Sequence, residues 1–281
     1  MRVVSSIEEM KGLSRGLRKE DKTIAFVPTM GYLHGGHTEL IRRAKGLSDV
    51  VVVSIFVNPT QFGPKEDYRS YPRDMERDLK ICREEGVDVV FTPEAEEMYP
   101  EGFSTYVTVE GLSERLCGVS RPGHFRGVTT VVAKLFNIVT PHIALFGLKD
   151  YQQQLIIKKM VRELNMDVKI VTVETVRDED GLALSSRNRY LTDNERKVSR
   201  LIPEALKRAE ECVKEGVSEA SCIIEEMKKV IDRKPEIMVD YIKICHPETL
   251  EDVERVEGEV LVAIAAKVGR ARLIDNLIIK K

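Results

Sequence analysis

The chain has no tryptophan, and phenylalanine, tyrosine and tryptophan together make up only 6% of its 281 residues. It has five cysteines, an odd number, and no pair of them has the spacing of metal ligands. A disulfide-stapled secreted scaffold is thereby excluded, and a reduced, cytoplasmic setting fits. No run approaches the length of a membrane span, and Met1-Arg2-Val3-Val4-Ser5-Ser6 opens no apolar signal region. The formal net charge is only −2, from 44 basic and 46 acidic residues spread throughout. That balance gives no reason to expect a nucleic-acid or membrane partner.

What is present describes a globular protein. Hydrophobic residues make up 42% and charged residues 32%. Abundant Lys, Glu and Arg without Trp is a composition shared with thermophilic proteins. A length of 281 residues favours one larger and one smaller domain over a single core.

Strand-like and helix-like segments alternate up to about residue 175. The strand candidates are 23–28, 50–56, 88–92, 142–146 and 168–173, several of them apolar on both faces, as in a parallel sheet covered by helices. The helix candidates between them are 38–47, 74–85, 126–138 and 150–164. The fold expected is α/β: a Rossmann-like doubly wound parallel sheet over 1–176, binding ligands at the carboxyl ends of its strands. After Val176 the pattern changes. Helices over 193–214 and 218–232, followed by strands over 236–246, 259–267 and 271–279, predict a smaller C-terminal α+β domain over 177–281.

The chemistry-bearing segments sit at strand ends. Pro28-Thr29-Met30-Gly31-Tyr32-Leu33-His34-Gly35-Gly36-His37 follows the first apolar run. Glycines there let a backbone approach a phosphate, two imidazoles can donate to it, and the helix expected to begin near Thr38 offers free N–H groups and a positive dipole end. Phosphate binding is the favoured reading; a core histidine, a plain turn and a zinc site are its rivals. Gly147-Leu148-Lys149-Asp150 repeats the logic at a later strand end, with Lys149 as a flexible point charge. Ser185-Ser186-Arg187 offers two hydroxyls and a guanidinium, suited to a polyphosphate or a departing pyrophosphate. Each segment alone has an ordinary structural explanation, but three phosphate-binding loops in one chain are harder to ascribe to chance. Gln61, in Asn58-Pro59-Thr60-Gln61-Phe62, and Gln153 can hold a small polar substrate without adding charge. Arg121 and His124, in Arg121-Pro122-Gly123-His124-Phe125, are a further cation and imidazole whose roles the residues leave open.

Taken together, these motifs resemble the pantoate–β-alanine ligase family. The resemblance rests on Pro28–Gly31, His34–His37, Asn58–Phe62, Tyr71-Pro72-Arg73, Arg121–Phe125, Gly147–Gln153, Ser185–Leu191 and Leu273-Ile274-Asp275-Asn276, in family order over nearly the full chain. It implies ATP-dependent joining of pantoate to β-alanine through a pantoyl-adenylate, with Mg²⁺, a homodimer and a C-terminal lid. By position it implies ATP contacts at Met30, Gly31, Tyr32, Leu33, His34, Gly35, Gly36, His37, Gly147, Leu148, Lys149, Asp150, Val176, Leu184, Ser185, Ser186 and Arg187. His34, His37, Lys149, Ser185, Ser186 and Arg187 would carry the catalytic charge handling, and His37 also a proton transfer. Gln61 and Gln153 would hold pantoate, with Gln61 also neighbouring β-alanine, and Asp78 would lie near the metal. Cys117 and Arg77 stand where acidic residues can occur in the family. A nucleotidyltransferase acting on a phosphate-bearing acceptor and a non-catalytic ATP sensor are the competing classes.

Overall fold

The computed structural model describes residues 1–64 and 66–281. Among the described residues six strands, all paired in parallel, form one sheet: β1 (Arg2–Val4), β2 (Ile24–Thr29), β3 (Val50–Ile55), β4 (Val89–Phe91), β5 (Ile143–Gly147) and β6 (Lys169–Val173). Their spatial order is β1-β4-β3-β2-β5-β6. The chain winds outward from β2 through β3 to β4, then returns to the other side of β2 as β5 and β6. The order therefore reverses between β2 and β5, and a doubly wound sheet binds ligands outside the strand ends at that switch point. The fold class is the one expected from the alternating pattern.

Along this part of the chain the helices are α1 (Ile7–Lys19), α2 (Gly35–Lys45), α3 (Met75–Glu84), α4 (Ala95–Met98), α5 (Cys117–Ser120), α6 (His124–Val139) and α7 (Tyr151–Glu163). Ala25, Val27, Val51, Val53, Val90 and Leu145 from the strands pack with Leu33, Ile41 and Ala44 in one apolar core, all of them essentially excluded from solvent. Both faces of the central strands are covered, which is why these strands read as continuous apolar runs.

No element is expected before residue 23, yet β1 and α1 lie there. The three residues of β1 follow an exposed-exposed-buried pattern, and α1, though amphipathic, is mostly polar and fully buries only Met10 and Ser14. α2 begins at Gly35, three residues earlier than expected, because His34 caps it.

The remaining helices are α8 (Asp193–Ser199), α9 (Leu201–Lys214) and α10 (Ala220–Ile231), followed by an antiparallel sheet in the order β7 (Ile237–Cys245), β8 (Glu259–Val268), β9 (Ala271–Lys280). The single helix expected over 193–214 is interrupted at Arg200. Pro203 has no N–H to give the Ser199 carbonyl, and its ring crowds that position, so the helix restarts instead of continuing. Alternate residues of β8, namely Val260, Val262, Ile264, Ala266 and Val268, face Ile202, Leu206 and Ala209 of α9 and Ile223 and Met227 of α10.

The chain folds into two compact units. The first comprises 1–113, 121–148 and 153–174; the second comprises 114–120, 149–152 and 175–281. Lys149 thus belongs with the C-terminal sheet, although Gly147 ends a strand of the other one. No helix among the described residues is long and apolar enough to cross a membrane.

Candidate active site

The carboxyl end of β2 runs into a loop held by its own polar groups. The Thr29 hydroxyl donates to the Ser54 carbonyl (2.7 Å) and accepts the Gly31 N–H (3.1 Å). Gly31 and Tyr32 both have positive φ, +79° and +51°. A Cβ at Gly31 would meet Ile55 Cγ2 at 2.9 Å and Asp78 Oδ2 at 3.0 Å, so only glycine fits. Asp78 reaches across from α3 and accepts the N–H groups of Tyr32 (2.6 Å) and Leu33 (2.7 Å), one on each oxygen. Burial pushes its carboxyl above the ordinary range, against the opposing pull of those two N–H groups.

The N–H groups of residues 31–33 are spent inside the protein, so they are not the donors that meet a phosphate. Asp78 is a loop clamp whose two oxygens are engaged, with Arg77 Nη1 3.8 Å away, and no group of three or more His, Cys, Asp or Glu side chains that could hold a metal ion occurs among the described residues. The donor set does not fit a protein-held Mg²⁺.

α2 starts with an imidazole in place of the usual Ser, Thr, Asp or Asn cap. His34 Nδ1 accepts the Gly36 N–H at 3.1 Å, and His37 Nδ1 accepts the His34 N–H at 3.2 Å. The two rings lie 4.1 Å apart, centroid to centroid. A Cβ at Gly36 would come within 3.0 Å of the His34 ring, so this glycine makes room for the cap. A ring that accepts at Nδ1 carries its proton on Nε2 when neutral, and the hydrogen bonds fix that tautomer for both histidines. Both rings lie at the positive end of a helix dipole.

Beyond β3, a 3₁₀ turn at Pro59–Gln61 carries Gln61, which is buried. The Asn58 amide donates to Gln61 Oε1 (2.9 Å) and to the Gly127 carbonyl (3.1 Å), while its oxygen accepts from the Tyr99 hydroxyl (2.7 Å) and the Thr60 hydroxyl (3.0 Å). This fixes the Gln61 amide with Nε2 towards the Met30 sulfur, 3.2 Å away. Burial pushes the Tyr99 hydroxyl up to about 12, so it remains a donor. Arg121 forms a two-pronged pair with Glu66 (2.6 and 2.7 Å), and its Nη1 donates to His124 Nε2 (3.0 Å). His124 in turn donates from Nδ1 to the Gln61 carbonyl (2.8 Å). Arg121 and His124, left open by the sequence, hold the backbone that carries Gln61. Gln153, on α7, is half-buried, and its amide has no hydrogen-bonding partner among the described residues.

In the second unit, Lys149 sits in the 3₁₀ turn Leu148–Asp150, with Nζ 3.7 Å from Asp150. Leu184 N–H donates to the Val176 carbonyl (3.0 Å), closing a loop that delivers Ser185, whose hydroxyl accepts the Arg187 N–H (3.3 Å) at the start of the turn Ser186–Tyr190. Ser186 is buried. Gln152 clamps a neighbouring segment, accepting the Cys117 N–H (3.0 Å) and donating to the Arg115 carbonyl (2.6 Å). Cys117 itself lies 3.2 Å from the Tyr241 hydroxyl and 3.5 Å from Arg272, whose charge Asp240 balances.

The supporting residues Asn58, Glu66, Arg177, Asp275 and Asn276 had no role assigned from sequence. Asn58, before a proline turn, and Asp275 and Asn276, in the Leu273–Asn276 stretch, lie in recognisable motifs; Glu66 and Arg177 do not.

The family model for pantoate-beta-alanine ligase matches residues 2–278. A pantothenate synthetase from Thermotoga petrophila is 56% identical over 279 residues, covering 99% of this chain and all of that protein. One from Acetivibrio thermocellus is 53% identical over 283 residues, covering both chains completely. Among solved structures, pantothenate synthetase from Thermus thermophilus superposes with a TM-score of 0.93 at 47% identity, covering 99% of each chain. Pantoate-beta-alanine ligase from Francisella tularensis, solved in complex with beta-gamma ATP and β-alanine, gives 0.83 at 35% identity over 99% of this chain and 97% of that one. The chain belongs to the pantoate–β-alanine ligase family, enzymes that form an amide bond.

Proposed function

We propose that the chain condenses (R)-pantoate with β-alanine to pantothenate, consuming ATP and releasing pyrophosphate and AMP. The observation that carries this reading is the imidazole-capped start of α2, which sets two imidazole rings beyond β2 at the sheet's switch point. Family membership supplies the substrates.

In the first half-reaction a pantoate carboxylate oxygen forms a bond to the α-phosphorus of ATP, and the bond to pyrophosphate breaks. The carboxylate is already ionised at neutral pH, so this step needs no base. It needs in-line placement and charge stabilisation on phosphate oxygens. His34, His37, Lys149, Ser185, Ser186 and Arg187 supply donors and cations for that task, and Gln61 and Gln153 offer amides to pantoate. In the second half-reaction the β-alanine amine attacks the acyl carbon and AMP leaves. His37 was expected to move a proton here. With Nδ1 capping the helix and the proton on Nε2, it is placed to donate and not to accept, so we assign it to phosphate.

Residues 1–176 are proposed to bind the nucleotide and pantoate, and residues 177–281 to bring Ser185–Arg187 to the phosphates. Mg²⁺ is proposed to arrive with ATP, held by phosphate oxygens and water, since the chain offers no cage. The family resemblance also supports a cytoplasmic homodimer, which light scattering coupled to size exclusion would test.

Incubation with ATP, Mg²⁺, pantoate and β-alanine tests the function. Equimolar AMP and pantothenate are expected. AMP transfer to a phosphate-bearing acceptor, or ATP binding without turnover, would overturn it.

A further inference from the structure

The proposed phosphate lysine sits in a 3₁₀ turn that joins the end of β5 directly to the start of α7. A single 3₁₀ turn of three residues has poor internal hydrogen bonding, and Lys149 adds a flexible four-carbon stem. Where its ammonium falls depends on what holds that turn.

The holding group comes from β9, 127 residues further along the chain. Asn276 Nδ2 donates to the Lys149 carbonyl at 2.9 Å. Asn276 lies opposite Ala263 in the β8–β9 ladder, so its backbone is fixed by the sheet. The preceding residue, Asp275, is 3% exposed and accepts the Asn276 N–H on Oδ1 at 2.8 Å. Arg177 meets the same carboxylate with both terminal nitrogens, at 2.6 and 2.9 Å. Its Nη1 also donates to the Gly181 carbonyl at 3.0 Å, bracing the turn between Val176 and the strand-like stretch leading to Ser185. One part-buried ion pair thus underlies both proposed phosphate-binding segments of this unit.

We propose that Asn276, seated by the Arg177–Asp275 pair, is the positioning residue for Lys149, and that β9 acts as the scaffold that aims the lysine's charge. The proposal rests on the reading of Lys149 as a phosphate ligand. Asn276 touches no reacting atom; it acts through the Lys149 backbone. Misplacing a catalytic charge by about 1 Å costs up to about 10²-fold in rate.

The test is pantoate-dependent exchange of labelled pyrophosphate into ATP, measured on full-length Asn276→Ala, Asn276→Asp, Lys149→Ala and Lys149→Ala/Asn276→Ala, each with its melting temperature. Asn276→Asp keeps the side-chain volume and removes the donor. Both Asn276 variants should melt near the parent and lose about tenfold or more in kcat, while the second substitution should cost less than about twofold once Lys149 is gone. An equal loss in both backgrounds, full activity in the Asn276 variants, or unfolding of both would overturn the positioning role. Near-normal exchange by Lys149→Ala would instead overturn the reading of Lys149 itself, and the proposal with it.

Discussion

Asp78 and Tyr32, 46 residues apart in sequence, are joined by a hydrogen bond of 2.6 Å from the Tyr32 N–H to Asp78 Oδ2. Together with the Leu33 N–H on Oδ1, it holds the left-handed turn that delivers His34 to the start of α2. Replacing Asp78 with Asn turns one acceptor into a donor facing an N–H. Pyrophosphate exchange should fall about tenfold or more, as misplacement of a charge-stabilising group predicts. The Mg²⁺ concentration giving half-maximal rate should stay unchanged. A raised Mg²⁺ requirement, with activity restored at high Mg²⁺, would instead make Asp78 a metal ligand.

Gly127 tests the support beneath Gln61. A Cβ at this position would lie 2.3 Å from the Thr60 oxygen and 2.6 Å from the Gln61 nitrogen, both backbone atoms. No side-chain rotation relieves that contact. Gly127→Ala should cost about 1–3 kcal/mol, the range for overpacking, and should raise KM for pantoate more than KM for ATP. Denaturant melts and steady-state kinetics check both halves.

Glu66 gives a pH signature. Burial raises its carboxyl, but the pair with Arg121, the Gly63 N–H and the nearby His124 together outweigh burial and leave it below its ordinary value of 4.5. An acid whose folded value is depressed contributes stability above its unfolded value and loses that contribution as pH falls through the folded one. The stability difference between the parent and Glu66→Gln should therefore be flat above about pH 5 and shrink below about pH 4. Denaturant unfolding across that range measures it; a gap that widens in acid would contradict the assignment.

The Arg177–Asp275 pair should matter for stability as well as placement. Asp275→Ala strands a guanidinium whose side chain is only 32% exposed. Breaking a buried pair costs about 3–5 kcal/mol, and partial exposure discounts that to about 2–3 kcal/mol. A loss below about 1 kcal/mol in chemical denaturation would show that the pair is solvent-screened.

Much of the first unit was legible because its strands are buried on both faces. Val50 to Ile55 and Ile24 to Val27 read as strands with no tertiary knowledge. The start of α2 was misplaced because histidine is an uncommon cap, and the pairing of two rings at 34 and 37 has no local hydrophobic signature. The break at Arg200 was written in Pro203 but masked by the strong apolar stripe on either side. The proposed site residues stand out as motifs, since glycine, lysine and histidine cluster at strand ends. Of the site's supports, Asn58, Arg121, Asp275 and Asn276 fall inside recognisable motifs, but their partnerships could not be read. Arg177 with Asp275 and Arg121 with Glu66 join residues 98 and 55 apart, and polar pairs at such separations leave no periodic trace.

Exchange of labelled pyrophosphate into ATP in the absence of β-alanine is the most direct measurement of the central claim. The chemistry proposed for His34, His37 and Lys149 requires label to enter ATP when pantoate is present and not when it is omitted, with His37→Ala and Lys149→Ala each reduced about 10²-fold or more. Exchange that appears only after β-alanine is added, or that proceeds at the parent rate in both variants, would contradict it.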